Sequence, residues 1–104
     1  MLNLTPHAIT LQRADGSRVT FPPAGILARV SVAEEVCGEI DGVPVVSRTL
    51  GEAMGLPDEG TLCIVSAMVL SAVPGRRGVY APDSGPTAIR ENGQVVAVTR
   101  LVAA

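Results

Sequence analysis

Three Asp-Gly or Asn-Gly pairs, each between segments of alternating apolar and polar residues, constrain the fold of this chain most strongly. The segments repeat with a period of two, as in Ile9 and Leu11, and this is the periodicity of a β-strand. Such pairs accept the positive φ angles that tight turns between antiparallel strands require. The sequence therefore predicts β-hairpins at Asp15-Gly16, Asp41-Gly42 and Asn92-Gly93.

One helix is predicted among these strands. Ser66 can cap a helix over residues 67–73, which Pro74-Gly75 would end. Before it, residues 61–65 are apolar on both faces, a pattern typical of a buried strand. Residues 50–56 are ambiguous, because this glycine-rich segment could form a short turn of helix.

These elements predict a mainly β (α+β) fold in a single domain over residues 1–104. We expect a compact antiparallel sheet or a small partly closed barrel with one short packed helix. The chain has one Phe, one Tyr and no Trp, so the core must be built from aliphatic side chains. Hydrophobic residues make up 47% of so small a chain, and small domains bury a low fraction of their surface. We therefore expect a homo-oligomer.

Charge and composition exclude several classes of protein. The net charge of -2 argues against binding to DNA or RNA polymers, which requires a basic surface. A single histidine and two separated cysteines predict no metal site, and no cofactor motif is present. Apolar runs are too short to span a membrane and no targeting segment is recognised, so we expect a cytoplasmic protein. All eight basic residues are arginines, whose planar guanidinium suits phosphate or carboxylate.

The longest segment without strand or helix periodicity runs from residue 74 to residue 87. Long irregular loops in compact domains are usually functional or disordered, and its three prolines favour an ordered binding loop. Gly75 and Gly78 flank Arg76 and Arg77, so the backbone could approach a ligand closely. The two guanidinium groups could hold a phosphate, or they could form a solvated loop tip.

The second half of this loop is more specific. Pro82 and Pro86 stiffen it, and Gly85 permits a positive φ angle. Asp83, Ser84 and Thr87 would present short polar groups, and amides around residues 84–85 could bind an anion. A rigid structural turn is the alternative interpretation. The segment lacks the residues of a Walker phosphate loop and of a serine-hydrolase elbow.

Two further polar residues precede the loop. His7, in the sequence Thr5-Pro6-His7, could act as a general base, a stacking surface or a hydrogen-bond donor, or it could lie in a surface turn. Ser66 could help an anion bind at the start of the predicted helix, or it could be a plain helix cap.

Several segments of the chain resemble a family of small proteins found in phage, prophage and bacterial genomes. The segments are Asn3-Leu4-Thr5-Pro6-His7, residues 38–45, residues 64–67 and residues 81–90, which include Pro82-Asp83-Ser84-Gly85-Pro86. The resemblance implies a viral or mobile-element setting, and hence the cytoplasm of a host cell. Small proteins in that setting often counter host defences, and some do so as oligomers that sequester nucleotide signals.

The leading hypothesis is a non-enzymatic protein that sequesters a phosphorylated nucleotide, such as a cyclic or ADP-ribose-type immune signal. The arginine pair would bind phosphate, polar groups of the 83–87 turn would bind ribose or base edges, and His7 or Tyr80 would stack on the base. The candidate ligand-binding residues are Thr5, His7, Ser66, Arg76, Arg77, Tyr80, Asp83, Ser84, Gly85, Thr87 and Arg90.

Two alternatives stay open at this point. The chain could be a metal-independent phosphodiesterase, in which the 2′-hydroxyl of the ligand attacks, His7 is the base and an arginine stabilises charge. It could instead be a virion or assembly protein whose loop is an interaction epitope.

Overall fold

The computed structural model describes residues 1–104 as ten β-strands and one short helix. The mainly β class with one helix is therefore confirmed. The strands are β1 (Leu2–Asn3), β2 (Ile9–Gln12), β3 (Arg18–Phe21), β4 (Arg29–Ile40), β5 (Val43–Met54), β6 (Cys63–Ile64), β7 (Val79–Pro82), β8 (Ile89–Glu91), β9 (Gln94–Ala97) and β10 (Leu101–Ala103), and the helix is α1 (Ala67–Ala72).

The strands form four small sheets and no closed barrel. A central sheet has the order β1-β6-β7-β10, in which β6 is parallel to both β1 and β7, and β10 is antiparallel to β7. The pairs β2-β3, β4-β5 and β8-β9 are separate antiparallel sheets. Strands β6 and β7 are parallel because α1 carries the chain from the end of β6 back to the start of β7. Only the hairpins have a local sequence signal. The expectation of one antiparallel sheet is therefore wrong for the central sheet, which contains parallel pairs.

All three hairpins occur where the sequence predicts them. In two of them both turn residues have positive φ: 52° and 77° at Asp41 and Gly42, and 52° and 79° at Asn92 and Gly93. This is the signature of a two-residue type I′ turn, whose twist matches that of the flanking strands. The hairpin at Asp15-Gly16 has a longer loop, closed by a hydrogen bond from the amide of Arg13 to the carbonyl of Ser17.

The core is small and aliphatic. Its main cluster consists of Leu4, Cys63, Val65, Val69 and Val79, and only 11 of 104 residues are buried in the whole chain. The predicted buried strand over residues 61–65 is confirmed only in part: residues 63–65 are buried and Cys63–Ile64 pairs in a sheet, whereas Thr61 and Leu62 are exposed. The predicted cap is also confirmed, because the hydroxyl of Ser66 accepts a hydrogen bond from the amide of Val69 at 3.3 Å. No helix is long and apolar enough to cross a membrane.

The helical turn considered for residues 50–56 is wrong. Residues up to Met54 belong to β5, which pairs along its length with β4. Gly51 allows this pairing, since a Cβ atom there would overlap the hydroxyl oxygen of Ser31. This glycine thus lets two strands approach closely.

Strands β4 and β5 form a long two-stranded ribbon, which we call the β4–β5 ribbon (residues 29–54). Each strand has 12 residues, and most of them are exposed. The radius of gyration is 16.1 Å, whereas about 13 Å is typical of a compact domain of about 100 residues. The molecule is therefore an extended one, 50 Å long, in which much apolar surface stays uncovered.

A glycine close to the core gives a test of the backbone geometry. Gly78 has a φ of 85°, and a Cβ atom there would lie 2.6 Å from the carbonyl oxygen of Thr61. We expect Gly78→Ala to lower the free energy of unfolding by about 2–4 kcal/mol, the sum of left-handed strain and a steric clash. Gly75 has a φ of 77° with nothing within 4 Å, so Gly75→Ala should cost only about 1 kcal/mol. Urea denaturation of both variants checks this, and equal losses would contradict the packing described.

Candidate functional site

A cleft of about 270 Å³ lies where the amino-terminal segment meets the end of β7 and strand β9. We call it the His7–Ser84 cleft. Six of its ten lining residues are hydrophobic, and its polar side chains are those of His7, Thr10 and Ser84. The structure thus brings together His7 and Ser84, two candidates far apart in the sequence. The lining residues are His7, Ala8, Ile9, Thr10, Pro82, Ser84, Val95, Val96, Ala97 and Val98.

The side chain of Asn3 fixes the backbone at the entrance to this cleft. Its Nδ2 donates to the carbonyl oxygens of His7 at 2.7 Å and Phe21 at 2.9 Å. Its Oδ1 lies 3.0 Å from the amide of Thr5 and 2.7 Å from the hydroxyl of Thr5. Asn3 is 1% exposed, so these bonds replace water at every polar position of the amide.

Thr5 belongs to this network and does not line the cleft. Its side chain is buried, and its hydroxyl lies within hydrogen-bond distance of Asn3 Oδ1 and the carbonyl oxygen of His7. His7 itself is exposed and lines the cleft, and its imidazole has no hydrogen bond to the protein. The Asn-Leu-Thr-Pro-His segment is therefore a turn that places His7 at the cleft.

Asp83 organises the turn on the other side of the cleft. Its Oδ1 accepts the amide of Gly85 at 3.0 Å, and its Oδ2 accepts Nε and Nη2 of Arg100 at 3.0 and 2.6 Å. The Gly85 amide and then the Arg100 guanidinium hold the pKa of Asp83 below its ordinary value. The expected positive φ at Gly85 is wrong, because the turn is closed by the Asp83 side chain and Gly85 stays outside the left-handed region.

Arg90 also stabilises this turn. Its Nη1 donates to the carbonyl oxygen of Gly85 at 3.1 Å, and its Nη2 donates to that of Ser84 at 2.5 Å. Thr87 is exposed, and its carbonyl oxygen accepts the hydroxyl of Thr99 at 3.0 Å. Ser84 is the polar residue of this turn that lines the cleft.

The adjacent arginines lie outside the cleft. Nη2 of Arg76 donates to the carbonyl oxygen of Pro57 at 2.7 Å, so this half-buried side chain ties two loops together. Arg77 is 77% exposed and makes a loose ion pair with Glu59 at 3.7 Å. The sequence suggests a phosphate clamp by this pair, but the structure gives these arginines other partners.

Two remaining candidates are also away from the cleft. Tyr80 is half-buried in β7, where it pairs with Ile64 of β6. Ser66 caps α1, which has only six residues. Neither side chain lines a cavity of the molecule.

A second hollow of about 270 Å³ adjoins the first along β2. Arg13 and Arg100 line it, and Val98 lines both cavities. Backbone bonds join the two sides here: the Gln12 amide donates to the Val98 carbonyl at 2.8 Å, and the Val98 amide donates to the Thr10 carbonyl at 3.0 Å. We call it the Arg13–Arg100 hollow. Its lining residues are Leu11, Gln12, Arg13, Val98, Thr99, Arg100 and Leu101.

Sequence reasoning missed this second hollow. Arg13 follows a predicted strand and Arg100 lies near the end of the chain, and neither belongs to a recognisable motif. Their proximity depends on the contact between β2 and Val98, which pairs residues distant in the sequence. No local pattern of residues encodes such a contact.

No group of three or more His, Cys, Asp or Glu side chains is placed to hold a metal ion. Compared with protein-family models, with curated proteins and with solved structures, the chain matches none of them. The resemblance to a phage and prophage family therefore stays a prediction, and the function must be argued from the geometry.

The carboxylate of Asp83 gives a pH-dependent prediction. Its folded-state pKa lies below the ordinary 3.8, so the ionised form contributes stability that is complete above that pH and is lost as the pH falls through the folded pKa. We expect the difference in unfolding free energy between the wild type and D83N to be constant above about pH 5 and to shrink in more acid solution.

Urea denaturation at a series of pH values measures this difference. E91Q removes the same charge at an exposed strand end and is the matched control. A difference between wild type and D83N that grows on acidification would contradict the hydrogen bonding described for Asp83.

Proposed function

We propose that this chain is a non-enzymatic binding protein that sequesters a small phosphorylated nucleotide. The observation that carries the proposal is the adjacency of two unlike cavities that share Val98. One is mostly apolar with an imidazole at its mouth, and the other is lined by two arginines. A nucleotide has the same division into a flat, weakly polar base and a charged phosphate.

The base would occupy the His7–Ser84 cleft. Apolar walls from Ile9 and Val96 would cover its faces, and the His7 imidazole would stack on it. The hydroxyls of Thr10 and Ser84 would bind polar edges of the base or ribose. The Thr10 hydroxyl already lies 2.8 Å from that of Thr20, so Ser84 is the less committed of the two.

The phosphate would occupy the Arg13–Arg100 hollow. Arg13 donates through Nη1 to the Ser17 hydroxyl at 3.3 Å, and Arg100 binds Asp83 through Nε and Nη2. Each guanidinium has five N–H groups, so both retain donors for phosphate oxygens. Phosphate binding, which the sequence suggests for Arg76 and Arg77, is thus proposed for Arg13 and Arg100.

Binding is favoured over cleavage by the chemistry of the cleft. His7 is the one titratable side chain that lines it. Cleavage through a 2′-hydroxyl needs a base for that hydroxyl and an acid for the leaving oxygen. A host-defence signal of cyclic or ADP-ribose type is the ligand that the resemblance to phage proteins suggests, and sequestration would then be the biological role.

Calorimetry against a panel of mononucleotides, cyclic dinucleotides and ADP-ribose-type compounds tests the proposal. We expect one class to bind, and H7A and R13A each to weaken its binding by about 10- to 100-fold, since each removes roughly 1.5–3 kcal/mol of stacking or phosphate contact. R77A removes the same charge as R13A at an exposed site and should bind normally.

The bound sample would then be heat-denatured and its ligand chromatographed. Recovery of the intact ligand supports sequestration, whereas a changed ligand supports the phosphodiesterase alternative. Absence of binding to every nucleotide, or equal losses in R13A and R77A, would contradict the assignment of the two cavities.

A further inference from the structure

We propose that the chain forms a homodimer in which two β4–β5 ribbons stack face to face. The contact would use the ribbon face that carries Val32, Val36, Val46 and Leu50, which we call the apolar face. This inference is independent of the proposed ligand, because the ribbon lines neither cavity.

The ribbon lacks a partner within its own chain. Its base packs on the core through Val30 and Ala53, but beyond them β4 and β5 contact mainly each other. Isolated two-stranded hairpins are marginally stable in water and need a further layer. The ribbon nevertheless carries six of the thirteen large hydrophobic residues that the molecule exposes, with Val36 67% exposed.

The strand register defines the apolar face. Cross-strand partners lie on the same face of a sheet, and successive pairs alternate between its two faces. Val32 pairs with Leu50, Glu34 with Arg48, and Val36 with Val46, so these pairs share one face; the intervening pairs Ala33–Thr49 and Glu35–Ser47 lie on the other. The apolar face therefore carries two aliphatic pairs, with the Glu34–Arg48 ion pair between them.

The edges of the ribbon are poorly suited to pairing with another strand. Pro44 lacks an amide hydrogen and interrupts the outer edge of β5 near its start. The register shift between Val30 and Val32 leaves an extra residue in β5, and the shift between Val36 and Gly38 leaves one in β4. Such irregularities discourage edge-to-edge association, so a partner would pack on a face.

The charges on the apolar face identify a second copy of the chain as the partner. Nε of Arg48 lies 2.9 Å from Oε1 of Glu34, and these residues lie side by side at the middle of the ribbon. A twofold axis parallel to the strands would place Glu34 of each copy over Arg48 of the other. The same rotation would place Val36 over Val46 and Val32 over Leu50, which makes the face self-complementary.

A charge-exchange experiment tests this arrangement. We expect the wild type to sediment as a dimer, while E34R and R48E alone, which place like charges across the axis, should weaken association at least about 10-fold. An equimolar mixture of E34R and R48E should restore the dimer, because every charge across the axis is then opposed by its opposite. Circular dichroism and thermal melting verify that each variant is folded, which these exposed substitutions should allow.

E35R is the matched control, since it makes the same charge change at the neighbouring position on the opposite face. It should dimerise like the wild type. A monomeric wild type, single variants that dimerise normally, a mixture that fails to associate, or an E35R defect as large as that of E34R would each overturn the proposal. A wild type that is monomeric but binds an unrelated protein through the ribbon would assign the face to an assembly partner instead.

Discussion

The buried amide of Asn3 is the interaction on which the arrangement of the site depends. It joins the amino-terminal segment to the end of β3 through the carbonyl oxygens of His7 and Phe21, and it closes the turn at Thr5. A buried amide is costly unless all its polar atoms are bonded, and here they are. Because the network fixes the backbone of His7, this residue lies beside a surface formed by residues from the carboxyl-terminal half of the chain.

That surface is a seam between β2 and residues 95–101. Backbone hydrogen bonds at Val98 hold the seam closed, and the two cavities lie to either side of this residue. Some polar residues that the sequence predicts as ligand-binding instead stabilise the protein. Asp83 and Arg90 do so by hydrogen bonds within the 83–87 turn. The binding proposal therefore depends on a frame of polar groups that are hydrogen-bonded within the protein. This frame surrounds a few polar side chains that have no such partner.

The sequence predicted the features that depend on neighbouring residues. Asp41-Gly42 encodes its hairpin because both residues accept positive φ, and Ser66 encodes its cap. His7 and Ser84 were both predicted as candidates, and they line one cleft. Arg13 could not be found in this way, because its site forms only when β2 meets residues distant in the sequence. Polar residue types alone also do not reveal whether their partners are ligands or the protein's own backbone.

The most direct test of the central claim is a titration of the isotope-labelled protein with the nucleotide panel, followed by heteronuclear NMR. The account predicts that a binding nucleotide shifts the imidazole resonances of His7 and the amide resonances of Ser84 and Val98, together with the guanidinium signals of Arg13. The resonances of Arg76 and Arg77 should stay unchanged in the same spectra. Shifts confined to that arginine pair, with the seam unaffected, would contradict the claim that the two adjoining cavities form the binding site.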